Sequence, residues 1–302
     1  MLKRFAPSLP PRVRLKDHTR LVLDHGCSEI VFRSTLLQNP SKVDPTSRYL
    51  VENRLPPAPA PPSNVNMPNS SLCPPFHIHL KEDETFHVIS GTAKFLLLDQ
   101  RRPYPHDDTT TTTTAGLTTR LATPGTTLTI PRGQSHTFRN ASTTQPLHIE
   151  FGFSQPATTS NNSSPPPVVL PAEPTALNTK MHRFFLNTQL YRSDCSTHAI
   201  PRSLTQVLLF NHHADVALVP GWLLTLHRRA RLRSLRTAIE RIIAPALGRL
   251  MNVLGGVVLG KYMFGLEASY AEYYPYSHTH PHGQSKPKPP SARAENELTP
   301  KT

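Results

Sequence analysis

His77 and His79 flank a single residue, Ile78, and that alternation constrains the backbone more than any other feature of the chain. Side chains two apart point the same way on an extended strand but diverge on a helix, so one ion reached by both imidazoles demands β structure. The segment continues Leu80-Lys81-Glu82-Asp83-Glu84 and closes at Gly91. Glu84 lies past a short polar stretch that lets the chain turn and bring a carboxylate back, and Gly91 supplies permissive backbone for the next turn. These three ligands are expected from one hairpin, and strands at 85–90 and 93–98 are expected to flank the Gly91 turn as a hairpin in their own right. A fourth, His136, follows the turn Pro131-Arg132-Gly133 and opens the short strand His136-Thr137-Phe138-Arg139 before Asn140. Gly125 precedes that turn in the same segment.

Three neutral imidazoles and one carboxylate form a mixed nitrogen and oxygen site for one divalent transition ion. Fe(II), Mn(II), Ni(II), Cu(II) and Zn(II) all suit it, and a metal that prefers thiolates does not. Four protein ligands on an ion that takes six leave room for a bidentate substrate, or for substrate plus dioxygen. Phe86 shares the strand face of Glu84, and Phe138 shares that of His136, so both are candidates for the wall of a pocket. His87 points to the other face and is expected at the surface or between sheets.

The spacings H-x-H-x4-E-x6-G and G-x5-P-x-G-x2-H-x3-N closely resemble the two motifs of the cupin superfamily. His77, His79, Glu84, Gly91, Gly125, Pro131, Gly133, His136 and Asn140 all occupy motif positions, and Ser71 stands where the first motif usually opens with glycine. The resemblance covers residues 49–153 and implies a mainly β protein, a double-stranded β-helix or jelly-roll barrel with the ion in its mouth. A looser likeness, around Val219-Pro220-Gly221-Trp222 and the apolar segment after Ala244, is to fungal cupin-domain oxidoreductases associated with polyketide clusters. It implies a metal-dependent, dioxygenase-like oxidoreductase acting on a small aromatic or polyketide-type molecule in secondary metabolism, with the metal centre rather than a separate residue as the catalyst. A redox-neutral isomerase, cyclase or decarboxylase, and a ligand-binding cupin without turnover, stay open beside it.

The chain's 33 prolines and long polar stretches leave less of its 302 residues to pack than the length suggests. The expected division is an N-terminal segment at 1–45, the barrel at 46–154 with a low-complexity insertion at 101–119, a linker at 155–178, a helical extension at 179–274 and a disordered tail at 275–302. Strands are also expected at 20–32, broken around Gly26, and at 48–53, 126–130 and 146–153. The threonine run at 109–114 is read as a surface loop.

A net charge of +13 raises the question of an anionic partner, but no aromatic-interleaved basic groove accompanies it, and nucleic acid is not expected. Part of the excess lies in an amphipathic helix expected over 226–243, where Leu232, Leu235, Ile239, Ile242 and Ile243 oppose Arg229, Arg233 and Arg236. The following apolar stretch, 247–266, is uncharged only over 250–260, short of the roughly 20 residues that span a bilayer. It is expected to be buried or interfacial, giving 226–266 a peripheral membrane contact, a packing face on the barrel or a homodimer contact. Cys27, Cys73 and Cys195 form no CxxC pair, and the N-terminus has no apolar secretory core, so the expected location is cytoplasmic, peripheral to a membrane at most. His278-Thr279-His280-Pro281-His282 lacks a following carboxylate and His212-His213 lies in an apolar stretch; neither is expected to bind metal.

Overall fold

The computed structural model describes residues 7–14, 19–32, 51–59, 70–98, 110–114, 116–154, 176–230 and 232–274. The expected tail, most of the linker and the histidines at 278, 280 and 282 lie outside them.

Among the described residues, twelve strands form two six-stranded sheets, and every pairing among them is antiparallel. The first sheet has the order β1 (Arg20–Leu23), β2 (Ser28–Phe32), β3 (Val51–Leu55), β11 (Leu147–Ser154), β5 (Asp83–Ser90), β9 (Thr127–Ile130). The second runs β12 (Val216–Leu218), β4 (His77–His79), β10 (His136–Asn140), β6 (Ala93–Leu98), β8 (Leu117–Ala122), β7 (Thr110–Thr114). This is the mainly β jelly roll expected, with a helical extension behind it.

Alternation sets what each strand buries. On β5 it is Glu84, Phe86 and Val88, and on β10 His136, Phe138 and Asn140. Phe86 and Phe151 from the first sheet meet Phe95 and Phe138 from the second, with the Phe86 ring 5.0–5.4 Å from the other three. Each such buried ring stabilises the sandwich by roughly 1.5–3 kcal/mol.

Two local expectations change. β5 and β6 are not a hairpin ladder, because β5 lies in the first sheet and β6 in the second; Gly91 makes a corner between sheets. Gly91 has φ +81, and a Cβ there would come within 2.3 Å of the Pro146 carbonyl oxygen, so both conformation and close approach require glycine. The threonine run is partly strand: β-branched Thr110–Thr114 suits an extended edge, paired with β8 and with Thr111 to Thr113 exposed. Ser71 in place of the usual motif glycine has a local reason, since its backbone is not left-handed and its N–H donates to Asp24 Oδ2 at 2.8 Å.

The extension is built into the second sheet. Helix α1 (Ala176–Thr197) adds Met181, Leu186, Leu190 and Tyr191 to the sandwich core. Helix α2 (Leu204–Ala214) starts at Ser203, whose hydroxyl accepts from the Gln206 N–H, and ends at Asp215 in the left-handed region. The chain then enters β12, which pairs Val216 with His79 and Leu218 with His77. Lys81 and Lys180 both bond the Asp215 carboxylate, at 2.9 and 3.1 Å, and Lys180 also bonds buried Glu82, which ties this strand to the loop after β4.

The amphipathic helix expected over 226–243 is divided. Helix α3 (Gly221–Arg229) ends at extended Ala230, whose carbonyl accepts from Arg236 Nε at 2.7 Å. Helix α4 then runs unbroken through Arg233–Met263, joining the second half of the expected helix to the apolar stretch. At 31 residues it is long and apolar enough to cross a bilayer by length and composition, which the uncharged run alone did not suggest. It alternates α-helical turns with π-helical ones over Ile239–Ile243 and Asn252–Met263. A four-residue repeat drifts around an α-helix of 3.6 residues per turn, and the wider π turns bring it back. Glu240, Ala244, Gly248, Asn252, Gly256 and Gly260 therefore form one buried row. Asn252 Nδ2 donates to the Val216 carbonyl of β12 at 2.7 Å, and the glycines let α4 approach β12 and α2 closely.

Candidate metal centre

His77, His79, Glu84 and His136 are each buried, and one ligand atom from each lies within 4.8 Å of every other. β4 presents the first two side by side, β10 lays His136 beside His77 in register, and Glu84 reaches across from β5 in the opposite sheet. The expected single source for three ligands is thus replaced by both sheets facing each other.

Hydrogen bonds behind the rings decide which nitrogen faces inward. The carbonyls of Pro75 and Gln134 can only accept, so His77 and His136 must donate to them from Nδ1, at 3.0 and 2.9 Å. That leaves bare Nε2 lone pairs pointing at the centre. His77 Nε2 is 3.2 Å from His79 Nε2, and Glu84 Oε2 is 2.9 Å from His136 Nε2 and 3.2 Å from His79 Nε2. Converging lone pairs and a carboxylate repel one another unless protons or a cation lie between them, and a divalent ion satisfies all four donors together. The donor set therefore fits a first-row divalent metal.

Burial, with the neighbouring His136 and His79, pushes the His77 pKa well below the ordinary histidine range. Burial pushes Glu84 up, but the imidazoles of His79 and His136 outweigh it and hold the carboxyl well below the usual carboxylate range. Both shifts act in one direction on the metal-free protein. Unfolded His77 takes a proton below about pH 6.5 and folded His77 does not, so the unfolded state binds more protons and stability falls as pH drops through that value. The carboxylate adds to the loss at more acid pH. Urea midpoints of metal-free protein should decline steadily from neutral to pH 5, and a flat profile would contradict this arrangement.

The cluster opens on a cavity of about 530 Å³. Phe138, Phe151, Phe184 and Phe185 line it, whereas Phe86 lies beneath, stacked among Phe95, Phe138 and Phe151. α1, α2 and the chain between them supply Gln189, Arg192, Arg202 and Asn211 to the lining. Sequence reasoning did not single out any of these four, because nothing local marks a polar residue of α1 or α2 as facing a cavity in another part of the fold. Asn53 Oδ1, Gln189 Oε1, Asn211 Nδ2 and Arg192 Nε are buried with no hydrogen-bond partner among the described residues. Burial lowers the Arg192 guanidinium to about 10, so it stays charged at neutral pH. Cys73 also lines the cavity, and burial raises its thiol to about 11, which keeps it neutral and a poor ligand. His87 lies off the site, bonded to Glu150 at 2.8 Å, and His212 and His213 sit in the last turn of α2.

No family model and no curated protein matches the sequence. Among solved structures, an oxalate oxidase in complex with the substrate analogue glycolate aligns at 21% identity over 35% of this chain and 41% of its own, with a TM-score of 0.23. The Drosophila melanogaster CENP-C cupin domain aligns at 12% identity over 51% of this chain and 90% of its own, with a TM-score of 0.28. Oxalate decarboxylase from Bacillus subtilis aligns at 15% identity over 42% and 27%, with a TM-score of 0.24. The chain spans well under half the length of both enzymes. Two antiparallel sheets joined at the Gly91 corner, with three histidines and a glutamate converging from both in the motif order, give this chain a cupin fold.

Proposed function

We propose that the protein is a metal-dependent oxidoreductase acting on a small aromatic or polyketide-type molecule of secondary metabolism that carries an acidic oxygen group. The observation that carries this reading is the joining of the ligand cluster to a cavity with aromatic walls and a cationic, hydrogen-bonding side. About 530 Å³ suits a ligand of one to three rings. Phe138, Phe151 and Phe185 offer aromatic surface to such a ligand, the unpaired donors Arg192 Nε and Asn211 Nδ2 offer a place for an oxyanion, and Gln189 Oε1 can accept from a ligand hydroxyl. His77, His79, Glu84 and His136 would hold the ion, which when bound supplies Lewis acidity and a template for a chelating oxygen pair. Helices α1 and α2 form one side of this space, and the Arg192 Nε on it is buried, which strengthens its attraction to an anion.

Metal-loaded protein should consume dioxygen when given dihydroxybenzoic acids, and His136→Ala should abolish the uptake. Arg192→Met should raise KM by about tenfold or more, the usual cost of one charged hydrogen bond, while metal content stays at the wild-type level. Product without oxygen uptake would favour the redox-neutral alternative, and saturable binding without product the non-catalytic one. Turnover that survives loss of His136 would sink the assignment of this centre to the chemistry.

A further inference from the structure

We infer that the outward face of α4 is a docking surface for an anionic phospholipid membrane, on which the helix lies flat while its opposite face stays packed on the domain. The four-residue repeat divides α4 into distinct rows. Two positions round from the buried row of small residues run Ile242, Ala246, Leu250, Leu254, Val258 and Tyr262, every one exposed. Ile242 is 67% exposed, Leu250 52%, Leu254 51% and Tyr262 75%. Along the edge of this apolar row lie Arg241, Arg249 and Lys261, all exposed. Leu232, next to the start of α4, and Trp222 on α3 are further exposed apolar side chains, at 67% and 61%.

An apolar row this long is unfavourable in water and calls for a cover. Charge selects the cover. α4 carries five basic side chains and one acidic one, Glu240, which is buried. A second copy meeting this face would bring two basic edges together, whereas a phospholipid surface offers acyl chains to the leucines and anionic headgroups to the edge. Tyr262 in the exposed row, with an apolar body and one polar atom, suits the boundary between the two.

Crossing the bilayer is opposed by the same geometry. A Cβ on Gly256 would lie 2.6 Å from the Leu209 nitrogen, and Asn252 is bonded to the β12 carbonyl of Val216. Pulling α4 into a membrane would strip β12 of this support, next to the strand that carries His77 and His79. Immersion of the outer row alone leaves the fold intact.

Cosedimentation of the full chain with lipid vesicles tests this. The protein should bind vesicles of phosphatidylcholine mixed with phosphatidylserine, bind vesicles of phosphatidylcholine alone far less, and leave the mixed vesicles in high salt. The double change Arg241→Glu and Arg249→Glu should weaken binding at least about tenfold. Leu250→Asp with Leu254→Asp should abolish it, and both variants should keep wild-type melting temperature and metal content because these side chains are exposed. Failure to bind the mixed vesicles, or equal binding to both kinds, would overturn the inference. So would retention through high salt and alkaline carbonate, which would mark an integral helix, or a dimer dispersed by Leu254→Asp with no vesicle binding.

Discussion

The double variant His77→Ala and His79→Ala should hold no stoichiometric metal, against one divalent ion per chain in the wild-type protein purified without a metal-binding tag. Both donors come from one three-residue strand, and their removal leaves Glu84 and His136 alone. Losing a hydrogen bond behind a metal ligand already costs about 10–100-fold in affinity, so losing two ligands outright is decisive. The fold should survive. Ile78 between them stays fully buried, and the pairing of β4 with β10 and β12 uses backbone groups. Elemental analysis beside far-ultraviolet circular dichroism reads both quantities, and a folded double variant that retains a full equivalent of metal would show that the ion binds elsewhere.

Gly256→Leu should be the most destabilising single change in the extension. The new Cβ would stand 2.6 Å from the Leu209 nitrogen and 2.7 Å from the Leu208 carbonyl carbon. These are backbone atoms of α2, which cannot swing aside as a side-chain tip does, so the helices must separate. Overpacking of this kind costs about 1–3 kcal/mol, occasionally more. Since a domain of this size loses about 2–4 °C per kcal/mol, the melting temperature should drop by several degrees or more. Leu254→Ala on the same helix should change stability by no more than about 0.5 kcal/mol, because its side chain is half exposed. Equal melting temperatures for Gly256→Leu and wild type would mean that α4 does not pack on α2 through this row.

Much of the site was legible before the fold was known. An alternating His77-Ile78-His79 permits one backbone, and a strand's period of two carries both rings to one side whatever surrounds it. The strands expected at 20–32, 93–98, 136–139 and 146–153 followed from the same local rule, and the structure has strands at Arg20–Leu23, Ser28–Phe32, Ala93–Leu98, His136–Asn140 and Leu147–Ser154. The helical nature of the extension was readable too, since apolar residues at helical spacing need only a neighbour of some kind to bury them.

Pairing between distant segments was not legible. Val216–Leu218 is too short and too plain to announce itself as a strand, and it lies beside the ligand strand only because the loop held by Lys81, Lys180 and Asp215 sets it there. The same holds for Arg192 and Asn211, which reach the cavity through the way α1 and α2 pack on the barrel. On α4 a count at 3.6 residues per turn blurs the rows, and the π turns that straighten them arise with the packing against α2 and β12. The sequence by itself determined the candidate ligand set and the extended backbone that presents it, because those depend on the spacing and geometry of neighbouring residues. Tertiary structure alone decided which sheet each ligand comes from, what lines the space beside them and which side of α4 faces outward, because each of these is set by contacts between residues far apart along the chain.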